Sequence, residues 1–315
     1  MVTSQEIVRT RATGDIFIDS LTYDFAYARG TQITYVFQGS PGDGPFGGTT
    51  WSATGARAGF KAALASWSAV ANITFVEAAG PYNGTGSTDA YDWIESLEPL
   101  EGDTLGQHAL PGAGTLTGQF NTEGDLVTTQ TVRPGGFTYE TFVHEIGHGV
   151  GLLHPHNDGD EAPGDPTFPG VSDSGALGSF RLNQGIFTIM SYNSGYADVG
   201  VSPDAGYGWE LGPMAFDIAA IQRLYGANTA TNAGNSTFVL PDANVAGTGW
   251  LAIWDASGTD TISGATTNGA PAIIDLRAAT LRDEIGGGGF ASRIGGVLGG
   301  FTIAQIKNSV FIHSH

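Results

Sequence analysis

Cysteine is absent from this 315-residue chain, so no disulfide can staple the fold. The same absence does not identify a cellular compartment. Basic residues are scarce, with 12 Lys and Arg against 31 Asp and Glu, a formal net charge of −19. That balance argues against nucleic acid or an anionic membrane as partner, because both reward clustered Lys and Arg. An acidic excess instead favours solubility and suits Ca²⁺. No apolar stretch reads as a membrane-spanning segment, and Met1 to Asp15 shows no basic start followed by an apolar run, so no secretory signal peptide is visible. What the chain does contain, 41% hydrophobic and 14% charged residues, describes a folded protein of one large or two ordinary domains. Its 49 glycines point to tight turns and β-rich or loop-rich regions rather than a helical bundle.

The string His144-Glu145-Ile146-Gly147-His148-Gly149-Val150-Gly151-Leu152-Leu153-His154-Pro155 carries the chemistry. An α-helix places residues four apart on one face, so His144 and His148 point the same way and two neutral imidazoles can reach one Zn²⁺. Gly151 lets the helix stop and the chain turn back, which brings His154 round as a third ligand, and Pro155 discourages the helix from resuming. Three protein ligands leave one coordination position for water. Glu145, beside the first ligand, is placed as a general base rather than a ligand, and the implied reaction is peptide hydrolysis. A purely structural zinc site is the competing reading. It would close its fourth position with a protein ligand and has no use for Glu145. His156 is a rival third ligand, ranked below His154.

The long form of this motif resembles the metzincin zinc endopeptidases, and Thr188-Ile189-Met190-Ser191-Tyr192-Asn193 resembles the methionine-containing turn of their serralysin branch. By that resemblance Met190 forms the apolar floor beneath the three histidines, where otherwise it would be one of only three methionines used as core. Tyr192 becomes an extra zinc ligand that swings away to donate to the oxyanion, where otherwise it would be an ordinary tyrosine. Latency by a cysteine switch is excluded. Pro213 to Tyr225 reads as a helix with Met214, Ile218, Ile221 and Tyr225 inward, and resembles the last helix of the serralysin protease domain. Trp254-Asp255-Ala256-Ser257-Gly258-Thr259-Asp260-Thr261 resembles the string that opens the family's calcium-binding domain. Asp255, Gly258 and Asp260 are therefore calcium candidates, with a plain β-turn as the equal alternative.

Elsewhere the patterning is plainer. Ile16 to Ala28 reads as an extended opening strand, Ile33 to Phe37 as a second, Gly39 to Gly48 as a loop, and Ile73 to Glu77 as another strand. Phe60, Leu64, Trp67 and Ala71 repeat at helical spacing within Ser52 to Asn72. Asp89, Asp92, Glu95, Glu98, Glu101 and Asp103 crowd residues 80–106, which reads as a solvated loop, with weak metal binding as the lesser alternative. Gly106 to Asn121 is where a substrate-binding edge strand falls in metzincins, and His108 within it reads as a surface or substrate-side histidine.

The expectation is an α+β protein: a zinc metalloprotease domain over residues 15–229, with a twisted mixed sheet and long helices, then a β-rich region over 230–315 resembling the start of a serralysin β-roll or β-sandwich. Residues 1–14 would be a tail or propeptide remnant. The family's tandem calcium-binding nonapeptides are missing, since Gly286 to Gly300 holds no aspartate, so the chain reads as a fragment or as a member that lost the roll. The resemblance implies a secreted, extracellular or cell-surface, monomeric endopeptidase using Zn²⁺, with Ca²⁺ as a second candidate cofactor and extended polypeptides as substrate. A metal-bearing binding module that has lost turnover, or that serves a single target, is the alternative.

Overall fold

A computed structural model describes residues 6–39, 51–52, 54–79, 82, 88, 90–157, 166–264, 269–305 and 309–314. The expected loop at 39–48, Asp89, and residues 1–5 of the expected tail lie outside them, apart from Gly39.

The amino-terminal part is built on a five-stranded sheet. After β1 (Ile7–Arg9), α1 (Ile16–Asp19) and β2 (Phe25–Tyr27), its strands are β3 (Gln32–Phe37), β4 (Thr74–Glu77), β5 (Trp93–Glu98), β6 (Gly106–His108) and β7 (Leu116–Asn121), in the order β4-β3-β5-β7-β6. All neighbours run parallel except β6, which is antiparallel to β7 at the edge. The helix α2 (Ala56–Val70) makes the crossover from β3 to β4, and its apolar stripe of Phe60, Leu64 and Trp67 is buried, as the spacing predicts. It lies against α3 (Phe137–Gly149). Phe60, Phe120 and Phe142 meet there edge to face with ring centroids 4.8–5.6 Å apart, a geometry that aromatic quadrupoles favour.

Two expectations are corrected. Residues 16–28 are not one strand: Asp15 accepts the Phe17 amide at 3.0 Å and so caps α1, leaving β2 only three residues long. The carboxylate-rich stretch before Gly106 is not all solvated loop either. It contains β5 at the centre of the sheet, with Trp93, Ile94, Glu95 and Leu97 buried. A central parallel strand is covered on both faces, so it shows no alternation for a pattern search to find. Asp92 next to it is used internally, accepting the Thr34 amide and hydroxyl at 2.7 Å each.

After α4 (Ala215–Tyr225) the chain turns to short strands: β8 (Thr237–Val239), β9 (Trp250–Ile253), β10 (Gly258–Ser263), β11 (Ala272–Ile273), β12 (Ser292–Ile294), β13 (Gly300–Ile303) and β14 (Ser309–Ser314). They form a three-stranded sheet, β14-β10-β8, and a four-stranded sheet, β11-β12-β13-β9. Leu240, Ile253, Ile262, Ile294 and Ile303 make a small core of their own. Trp250 and Trp254 instead join the larger core, and the Trp254 indole donates to the Asn228 carbonyl at 2.8 Å.

Candidate metal centre

The helix α3 is held from below. Phe142, Val143 and Ile146 are fully buried, and the indole of Trp67 donates to the Val143 carbonyl at 3.1 Å. Gly147 faces Met190 so closely that a Cβ there would lie 2.6 Å from the methionine sulfur. Any larger residue at 147 would force the Met190 side chain to shift.

Beyond α3 the backbone folds back at Gly151, whose φ of +100° suits glycine. The Gly151 amide donates to His148 O at 2.9 Å and the Leu152 amide to Gly147 O at 2.8 Å. The outgoing segment is stitched to the loop before β2, with Tyr23 N to Gly151 O at 2.9 Å and Leu153 N to Leu21 O at 3.0 Å. These bonds carry His154 over the helix.

His144 Nδ1 lies 2.8 Å from the Ile189 carbonyl, and His148 Nδ1 lies 2.9 Å from the Leu152 carbonyl. A carbonyl can only accept, so each Nδ1 carries the proton and each Nε2 presents a lone pair. Both Nε2 atoms sit 3.0 Å from His154 Nε2. Among the described residues this is the one group of three metal-ligating side chains gathered so closely. Burial is the largest influence on all three imidazoles, pushing His144 down to about 4, His148 to about 3 and His154 strongly down. They are therefore neutral, as ligands must be. The fit to a metal is good: a tetrahedral zinc with Zn–N bonds of about 2.0–2.1 Å spaces its nitrogens about 3.3 Å apart, so His154 needs to draw away from each partner by only a few tenths of an ångström. Three lone pairs aimed at one point repel unless a cation lies between them.

Glu145 is buried beside His144, and β6 runs directly over it. A Cβ on Gly106 would come within 2.9 Å of Glu145 Cγ, so the edge strand can approach only because that residue is glycine. The ring of Tyr192 lies 5.8 Å from His144 and 4.8 Å from His154, and it is 57% exposed. His156 stacks on His154 at 4.8 Å but is not one of the converging three.

No protein-family model matches the chain. Curated relatives do. Serralysin A of Dickeya chrysanthemi is 30% identical over 305 residues, 90% of this chain. Serralysin C of the same organism is 31% identical over 79% of the chain, and metallopeptidase AprA of Pseudomonas marginalis 30% over 77%. The chain is a serralysin-type metzincin. It spans about half the length of these relatives, from 48% to 57%.

Three buried residues of this serralysin-type chain escaped the sequence reading. Asp217, fully buried, accepts from the Ile189 amide at 2.6 Å, the Met214 amide at 2.8 Å and the Thr188 hydroxyl at 2.7 Å. It thereby joins the start of α4 to the turn whose Ile189 carbonyl orients His144. Burial pushes its carboxyl up to about 7 against those hydrogen bonds. An aspartate three residues into a helix is a capping signal, and that signal could have found it. Glu210, also fully buried and pushed up to about 7 by burial, accepts the Gly195 amide at 2.9 Å. The third, His108, is a correction: its side chain has no exposure and its Nε2 lies 3.3 Å from Glu95 Oε1. It sits against Gly149 at the end of α3, where a Cβ would be 2.6 Å from its ring. It is a core residue between sheet and helix.

The calcium candidates also meet. Asp255 and Asp260 are fully buried. One oxygen of Asp255 accepts from Ser257 N at 3.1 Å and Ser309 Oγ at 2.9 Å, and one of Asp260 from Ser236 N at 2.9 Å. The second oxygen of each has no hydrogen-bond partner. Gly258, at φ +139°, starts β10 between them. Burial, and then the charge of Asp260, raises the Asp255 carboxyl above its ordinary range. Two orphaned carboxylate oxygens fit a hard divalent cation.

Proposed function

We propose that this chain is a secreted zinc endopeptidase that cuts extended polypeptides. The observation that carries this reading is the convergence of three Nε2 lone pairs, 3.0 Å from His154 to each partner, beside a buried glutamate. His144, His148 and His154 would hold the zinc. Bound there, the metal supplies a Lewis acid that acidifies water and polarises a peptide carbonyl. Glu145 takes the water's proton and passes it to the leaving amine. Tyr192, at the exposed rim, would be an additional ligand for the zinc and would donate its hydroxyl to the developing oxyanion. Met190 supports the histidines from beneath Gly147. The substrate backbone adds to the free edge of β6, in the manner of an extra strand.

Residues 15–229 form the metzincin protease domain in this reading, and residues 230–315 a β-rich region that binds Ca²⁺ through Asp255 and Asp260, with the chain acting as a monomer. No helix among the described residues is long and apolar enough to cross a membrane. The test is metal content and cleavage of an unfolded protein by the wild type and Glu145→Gln, purified side by side. Near-stoichiometric zinc in both with cleavage only in wild type is the expected result. Zinc in both with cleavage in neither would favour a metal-bearing binding module.

A further inference from the structure

The cleft that opens on His144 and Glu145 does not end there. It continues back along α3 past Glu140 to the rings of Phe137 and Trp209, with Asp103 at its rim, and encloses about 550 Å³. That space accepts one long side chain of a bound peptide. Glu140 stands four residues before His144, so it lies on the same helix face one turn away, about 6 Å along the axis. Its side chain is only 8% exposed. No hydrogen bond among the described residues supports its carboxyl; burial and the neighbouring charges of Glu210 and Glu145 act on it instead. These push the carboxyl well above its ordinary range, and a cation brought into the cleft would restore its charge.

The walls say what that group is attached to. Phe137 and Trp209 meet with centroids 4.8 Å apart and planes tilted by 59°, walling the cleft beyond Glu140. A lysine or arginine side chain entering past His144 brings its charged head to the carboxylate and sets it against those rings. An apolar guest would leave Glu140 without a donor, and an acidic guest would face Asp103, Glu140 and Glu145 together.

We propose that this cleft is a specificity pocket that selects lysine or arginine at one position flanking the cleaved bond, with Glu140 receiving the cationic head. The proposal rests on the protease reading and narrows its substrate class.

Digestion of a diverse peptide library by the wild-type 315-residue chain, with cut sites mapped by mass spectrometry, should enrich Lys and Arg about tenfold or more at one flanking position, the range of a charge-assisted hydrogen bond. Apolar residues dominating both flanks would overturn it. A second readout needs no turnover: calorimetric binding of two octapeptides, identical except for a central Arg or Leu, to the zinc-loaded Glu145→Gln variant. The arginine peptide should bind about tenfold tighter, and adding Glu140→Gln should bring the ratio close to one. Equal affinities with Glu140 present, or a ratio untouched by Glu140→Gln, would overturn the proposal. Selective binding of the arginine peptide without cleavage of any peptide would remove the protease reading and leave the pocket standing. Cleavage without preference would do the reverse.

Discussion

His144 and His148 each commit their second nitrogen to a backbone carbonyl, Ile189 and Leu152, whereas Asp255 and Asp260 each keep one buried oxygen without a partner. The difference lies in charge. Burial keeps the imidazoles neutral, so the histidine centre gathers donors without gathering net charge. At the acidic pair burial, and then the charge of Asp260, works against the Asp255 carboxylate, which a cation would favour. One site is preorganised for chemistry.

The sharpest way to test that contrast is Glu145→Gln, which should leave zinc bound and lower kcat/KM by about 10³-fold, the range of general acid–base catalysis. Stopped assays with metal analysis check it, and retained turnover would move the base elsewhere. Next in size is Asp217→Ala. It leaves the Ile189 and Met214 amides without their acceptor in a fully buried place, which should cost about 3 kcal/mol in urea denaturation and weaken zinc about 10–100-fold through the released turn. Loss of stability with unchanged zinc affinity would show that the turn does not orient His144.

A third test acts on the acidic pair alone. Asp260→Asn should raise stability by about 1–2 kcal/mol in a calcium chelator, by relieving buried like charge, and lower it by a similar amount in millimolar Ca²⁺. The same sign in both conditions would refute a cation site there. An effect of similar size is a pH dependence at Glu210. Its carboxyl is pushed up from 4.5 to about 7 in the fold, so the folded state holds the proton more tightly than the unfolded one. Its contribution is full below about pH 4.5 and fades as pH rises to about 7. Glu210→Gln lacks this dependence. Relative to wild type it should gain on the order of 2 kcal/mol between pH 5 and pH 8, and a constant difference would contradict the assignment.

How much of this was legible in the chain depends on sequence distance. The three converging histidines lie within eleven residues and are joined by one helix and one glycine turn, so spacing alone brought them together. The stripe of α2 and the helix before Tyr225 were legible for the same reason, since helical contacts are local. The central strand β5 was not. Its acidic residues look solvated until Thr34, 58 residues before Asp92, supplies donors, and until His108 arrives beside Glu95. Nor could a pattern show that Gly106 must be small because Glu145 passes beneath it, or that Gly147 must be small because Met190 does.

Local geometry and donor chemistry were written into the order of residues: three imidazoles that neutral pH leaves unprotonated, a carboxylate beside the first, and a turn to deliver the third. Only the assembled fold decided which acids are buried, which of them a backbone amide satisfies, and that Glu140 is left facing a cleft with two aromatic rings. Those outcomes depend on desolvation and on partners far apart in the chain, and both exist only once the layers have closed.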